Sequence, residues 1–155
     1  MLRVLIGLAL LASPLALSAK DSLGIFESWG AFRDAKMPRC YAISQAEDES
    51  GGAYASVATW PERGISGQVY IRLSRPVRDR APVTVRLGSQ RHALIAKGRN
   101  AWARDQAMDA AIVSAMRSAR TMRIYARSES GRRFSDSYTL AGVATAMDAA
   151  TVACA

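Results

Sequence analysis

The chain has 155 residues, a formal net charge of +8 and 22% charged residues. That is single-domain size, long enough to bury one core. The excess is almost all arginine and is scattered along the chain, which excludes a block-charged tail. A basic chain is drawn to anionic partners. Arginine and alanine are also both inflated by a GC-rich genome, which is the simpler source of the excess.

The N-terminus, "MLRVLIGLALLASPLALSAK", has an early Arg3, an apolar run from Val4 to Ala12, a break at Pro14 and small residues at Ala16, Ser18 and Ala19. This is the layout of a secretory signal peptide over 1–19, with cleavage after Ser18 or Ala19. The run is shorter than the roughly 20 residues a membrane span needs. The expectation is therefore an exported protein, periplasmic or secreted, with one soluble domain over 20–155. The compartment beyond the membrane is oxidising and permits disulfides.

Short alternating runs separated by turn residues follow, the signature of an all-β sandwich or barrel. A first strand is expected around "IFESWGAF", then "CYAIS" from Cys40 and "YASVATW" over 54–60. In "QVYIRLS", Val69, Ile71 and Leu73 alternate with Gln68, Tyr70 and Arg72, so one face is apolar and the other carries tyrosine and arginine. "VTVRL" places Val83, Val85 and Leu87 inward and Arg86 outward. "GSQ" turns the chain into "RHALIA" as a hairpin partner, with Ala93 and Ile95 toward the core and His92 outward with Leu94. "TMRIYAR" sets Met122, Ile124 and Ala126 against Arg123, Tyr125 and Arg127, and "RRFSDSY" returns. The stretches "EDESGG", "PERGISG" and "SRPVRDRAP" read as linkers.

Two segments have helical spacing instead. "DQAMDAAIVSAMRSA" repeats apolar residues at Met108, Ala111, Ile112, Ala115, Met116 and Ala119. Asp105 stands at the N-cap, Asp109 near the start, and Arg117 and Arg120 at the end, an order that complements the helix dipole. "TLAGVATAMDAATVAC" aligns Leu140, Val143, Met147, Ala150 and Cys154 on one side. The predicted architecture is a mainly antiparallel β-sandwich with two short packed helices.

Together these features resemble the invasion-associated locus B family of exported bacterial proteins. The likeness rests on the signal peptide, the aromatic-led strand around Trp29, "RCYAIS", "VYIRL", the "VTVRLGSQ" hairpin, Trp102 ahead of "DAAIVSAMRSARTMRIYA", and "SYTLAGVATAMDAA", similar to a family ending L-x-G-x-x-x-A. It implies an immunoglobulin-like β-sandwich in the periplasm or at the outer-membrane periphery. It implies an association with host-cell invasion for named members, and no established chemistry. Family members often pair the cysteine aligned with Cys40 to one shortly after the N-terminal tryptophan. The stretch "WGAFRDAKMPRC" holds no such residue, so the family cystine is either lost or re-paired with Cys154.

Catalytic constellations are hard to assemble. Cys40 as a nucleophile needs a base, and the only histidine, His92, is expected on a hairpin surface. Two cysteines and one histidine far apart are a poor zinc set. No phosphate-binding Gly-rich loop and no cofactor motif are present. Glu47, Asp48 and Glu49 form a run expected to be a solvated loop rather than a glycosidase pair. The expectation for Cys40 and Cys154 is a structural disulfide, because Cys154 lies on the buried stripe of the last helix.

The reading is a non-enzymatic exported binding or interaction module with no metal and no cofactor. Its candidate binding face is Tyr70, Arg72, Arg86, Arg123, Tyr125 and Arg127. Its partner would be anionic (a glycan, a lipid head group or an acidic protein) and not nucleic acid. The alternatives are an envelope hydrolase acting on cell-wall or glycan material, and a structural envelope protein.

Overall fold

The computed structural model describes residues 20–155, so the signal peptide expected over 1–19 lies outside the described residues. The elements run β1 (Asp21–Phe26), β2 (Trp29–Asp34), β3 (Arg39–Gln45), β4 (Tyr54–Trp60), β5 (Ile65–Val77), β6 (Val83–Leu87), β7 (Gln90–Trp102), α1 (Gln106–Ser118), β8 (Thr121–Arg127), β9 (Arg133–Thr139) and α2 (Val143–Ala153). The strands pair antiparallel in the order β1-β2-β3-β4-β5-β7-β6-β8-β9. A mainly β, antiparallel fold carrying two helices is what the alternating runs predicted.

The expected first strand is in fact a hairpin. Phe26 pairs with Trp29 across the Glu27–Ser28 turn, and Glu27 takes φ +51°. A two-residue turn of this kind ordinarily announces itself with Gly or Asn, so "FESW" gave no warning. Trp29 is fully buried, and its indole N–H donates to the Thr139 carbonyl at 2.9 Å. The hairpin from β2 to β3 is held by Asp34, whose carboxylate accepts from the Lys36 and Met37 amides.

The strand β7 corrects a second expectation. Leu94 and Ala96 are buried, and Ile95 is 45% exposed. The run "ALIA" is apolar in both phases, so alternation could not choose between them. Pairing does: Leu94 lies opposite buried Val83, and His92 opposite buried Val85. His92 thus shares the inward face with Leu94, half-buried, and Ala93 and Ile95 face out.

Two long strands join the halves of the sheet. The first part of β7 pairs with β6 and its last part with β5. Between Arg72 and Val77 the β5–β7 register shifts. This is where β5 absorbs part of the expected "SRPVRDRAP" linker, including Pro76, which a bulged stretch tolerates. Arg99 fills the irregularity, donating to the carbonyls of Leu73 at 2.9 Å, Ser74 at 3.2 Å, and Gly51. Buried Asp136 of β9 accepts from the Ser74 amide at 3.0 Å, and the Ser137 carbonyl accepts from the Glu47 amide at 2.8 Å. The last strand is thereby brought back against β5 and the end of β3.

The inner faces of the strands and one side of each helix form a single core. The helix α1 begins where Asp105 caps it, accepting from the Met108 amide at 2.8 Å. It buries Met108, Ile112, Ala115 and Met116. Its Asp109 accepts from the Val69 amide at 2.8 Å, an N–H just past the last β5–β7 pair, Tyr70 with Trp102. The helix α2 buries Val143, Ala146, Met147 and Ala150, packed on β1, β2 and β3. Cys40 and Cys154 form the expected disulfide, with Cα atoms 5.8 Å apart. Among the described residues, no helix is long and apolar enough to cross a membrane.

Candidate functional site

The outward face of β3, β4, β5 and the end of β7 carries a cleft of about 690 Å³. Pairing register explains how it arises. Along one row Phe32, Tyr41, Ala58 and Gln68 lie side by side; along the next, Ile43, Ser56, Tyr70 and Trp102; along the third, Gln45, Tyr54, Arg72 and Asn100. The central strand β4 contributes only Ser56 and Ala58 to the middle of this face. Large rings on either side therefore overhang a low floor. Ser56 and Ala58 are consequently buried although they point away from the core.

The walls are Tyr41, Tyr54, Trp60, Tyr70 and Trp102. Tyr54 and Tyr70 pack with ring centroids 5.9 Å apart, and Phe32 braces Tyr41 at 5.8 Å. The Trp60 indole donates to Gln68 Oε1 at 3.0 Å, which fixes the ring. The Tyr70 hydroxyl donates to Asn100 Oδ1. Burial, with Tyr54 beside it, pushes the Tyr70 phenol above its ordinary value, so it stays neutral and keeps its proton to donate.

The charge in the cleft is positive. The Arg39 guanidinium lies 4.6 Å from the Tyr41 centroid and 5.2 Å from that of Trp60. Arg63 covers Trp60 at 4.6 Å. Lys20 stands 6.0 Å from Tyr41. Such contacts hold a cation over a ring face. Among the described residues Arg39 has no ion-pair partner, and its Nε is buried without a hydrogen bond. Its ladder neighbour Asp34 already accepts from two backbone amides. Among the described residues, those lining the cleft include no carboxylate.

The six residues expected to form one binding face are divided by the fold. Tyr70 lines the cleft, and Arg72 sits on the same outward face opposite Tyr54 and Asn100. Arg86, Arg123, Tyr125 and Arg127 lie on the outer face of β6 and β8, in the other half of the sheet. They fall apart because alternation assigns a side chain to a face, and only pairing order says which strands share it. Arg39, Tyr41, Tyr54, Trp60 and Trp102 line the cleft without having been among the expected binding residues. The available signal lay within one strand: in "YASVATW", Tyr54 and Trp60 share the outward phase with small Ser56 and Ala58 between them.

Glu47 and Glu49, with Glu27, line a second depression of about 610 Å³ near Trp29 and Thr139. All three are exposed. Among the described residues no cluster of His, Cys, Asp and Glu is suited to hold a metal ion.

A family model described as invasion associated locus B (IalB) protein matches residues 31–151. This chain belongs to the IalB family. The match spans the cleft strands, both helices and the second half of the sheet. The chain is also similar to a solved structure described as invasion associated protein B from Bartonella henselae. That comparison has a TM-score of 0.64 at 13% identity and covers 88% of this chain and 98% of that one. At that identity the likeness shows the fold alone. No curated protein matches the chain in sequence.

Proposed function

We propose that this IalB-family chain is an exported, periplasmic or envelope-facing binding protein that catalyses no reaction of its own and takes an anionic partner in its aromatic cleft. The observation that carries this is Arg39: among the described residues, its guanidinium has no acidic partner and is held between two aromatic rings, in a cleft that no carboxylate lines. Small-molecule sites are mostly apolar with a few well-placed polar groups, and this cleft has that make-up. Of the three anionic classes, an acidic glycan fits best. Flat rings offer stacking for the C–H faces of sugars, Arg39 offers a site for a uronate carboxylate, and Ser56 and Gln68 offer hydrogen bonds. Export is supported by the signal-peptide layout and by a disulfide suited to an oxidising compartment.

The test is titration with uronate oligosaccharides, followed by tryptophan fluorescence. Arg39→Gln and Trp60→Ala should each weaken binding about ten-fold, which corresponds to about 1.4 kcal/mol, while both variants stay folded at the assay temperature by circular dichroism. Undiminished binding by both variants would sink the proposal for this cleft. Export is checked by the mass of the mature protein, which should begin at Ala19 or Lys20.

One observation favours the hydrolase alternative enough to name its residues. Glu27, Glu47 and Glu49 share a depression, and glycoside hydrolysis needs paired carboxyls. That reading requires turnover of envelope glycan that disappears in Glu27→Gln or Glu47→Gln.

A further inference from the structure

The outer face of the second half of the sheet is separate from the cleft and is built differently. Register sets Arg91 opposite Arg86, and Arg86 opposite Arg123. Three guanidinium-bearing residues thus stand in one row across β7, β6 and β8, on strands about 4.8 Å apart. The next row is Ala93, Thr84, Tyr125 and Ser135. Beyond it, Arg127 faces Arg133. All five arginines are exposed, and among the described residues none of them forms an ion pair. Their hydrogen bonds go to neutral groups: Arg86 to the Gly88 carbonyl, Arg123 to the Ser137 hydroxyl, Arg127 to the Gly131 carbonyl.

Like charges directly opposite one another destabilise a sheet. A solvated face would ordinarily alternate signs, and this one does not. The same face exposes Tyr125 at 40% and Ile95 at 45%. Between the arginines, Thr84, Arg86, Arg91 and Tyr125 line a depression of about 390 Å³.

We infer that this face docks the protein onto a membrane surface rich in anionic phospholipid. A row of arginines meets a plane of phosphates. Tyr125 and Ile95 supply an amphipathic ring and an aliphatic chain at the level where head groups give way to acyl chains. The depression between Arg86 and Arg91 takes one phosphate, with the Thr84 hydroxyl as a further donor. A basic side chain near an anionic membrane surface contributes about 1 kcal/mol, or roughly five-fold in binding. The docked protein would hold the aromatic cleft, on the other half of the sheet, free for its own ligand. This inference is independent of what the cleft binds.

The experiment is co-sedimentation of the mature chain with vesicles of phosphatidylglycerol in phosphatidylcholine, and with phosphatidylcholine alone. The wild type should bind the anionic vesicles, weaken as salt rises, and ignore the neutral ones. Arg86→Gln/Arg123→Gln should bind roughly 25-fold more weakly. The same double variant should unfold at an equal or higher temperature, because it relieves an arginine–arginine pair; a folding defect therefore cannot imitate the effect. Arg75→Gln/Arg78→Gln removes the same charge elsewhere and should bind nearly as wild type. Equal losses in the two double variants would overturn the inference, as would retention of a soluble polyuronate on this face with no binding to vesicles. Loss of vesicle binding in Trp60→Ala, with the arginine variants intact, would overturn it as well.

Discussion

Breaking the Cys40–Cys154 bond is the sharpest perturbation the fold offers. The two residues are 114 apart in sequence. In the chain-entropy model, closing a loop of that length removes about 16 cal/mol/K from the unfolded chain, or about 5 kcal/mol at 25 °C. Unfolding entropy runs near 2.1 cal/mol/K per residue, so over residues 20–155 the loss would lower Tm by roughly 15 °C or more. The native state should nevertheless survive in Cys40→Ala/Cys154→Ala. Val143, Ala146, Met147 and Ala150 still bury one side of α2, and Arg117 still reaches Asp148 at 2.7 Å. The expectation is an unchanged far-ultraviolet circular dichroism spectrum, a much lower urea midpoint and a steeper denaturant slope, since the uncrosslinked chain exposes more surface. Hydrogen exchange should speed up in the last turn of α2 before it does elsewhere. A stability difference below about 1 kcal/mol between the oxidised protein and the double variant would refute the reasoning.

Two glycines with similar φ should behave very differently. Gly142 (φ +86°) would place a Cβ 1.8 Å from the Phe26 carbonyl oxygen, whereas Gly88 (φ +57°) has nothing within 4 Å. Gly142→Ala should therefore cost about 3 kcal/mol or more, and Gly88→Ala about 1 kcal/mol, by urea denaturation. Similar costs would mean that contact with the β1–β2 turn does not matter. Asp109→Ala leaves the Val69 amide without its acceptor and should cost about 1–3 kcal/mol, while Asp109→Asn keeps an acceptor and should cost little. Burial, only partly offset by the Val69 N–H, holds the Asp109 carboxyl above its ordinary value. A folded-state pKa above the unfolded one, near 3.9, means the folded state keeps its proton longer, so this residue's contribution declines as pH rises from about 4 through the folded value. A pH–stability profile of Asp109→Asn should lack that decline; a profile that overlays the wild type would contradict the assignment.

The amino-acid sequence by itself determined the strand class, most strand positions, both helices and their buried stripes. Each of those rests on a local repeat: alternation in "TMRIYAR" and "VTVRL", helical spacing from Met108 to Met116, and a cap at Asp105. Such signals are carried within one element and need no partner. The sequence failed where a repeat was ambiguous or a turn lacked its usual residues, as in "ALIA" and "FESW". Tertiary structure alone decided which outward faces share a surface. Tyr70 and Arg72 joined Tyr54, Trp102 and Asn100 because β5 lies between β4 and the end of β7. Arg86 and Arg123 became neighbours because β6 lies between β7 and β8. The cleft has the same origin: Ser56 and Ala58 are unremarkable in a strand, and become a floor only when pairing sets rings on both sides of them. The physical reason is that facing is a property of one strand's pleat, whereas adjacency is settled by hydrogen bonds between strands far apart in the chain.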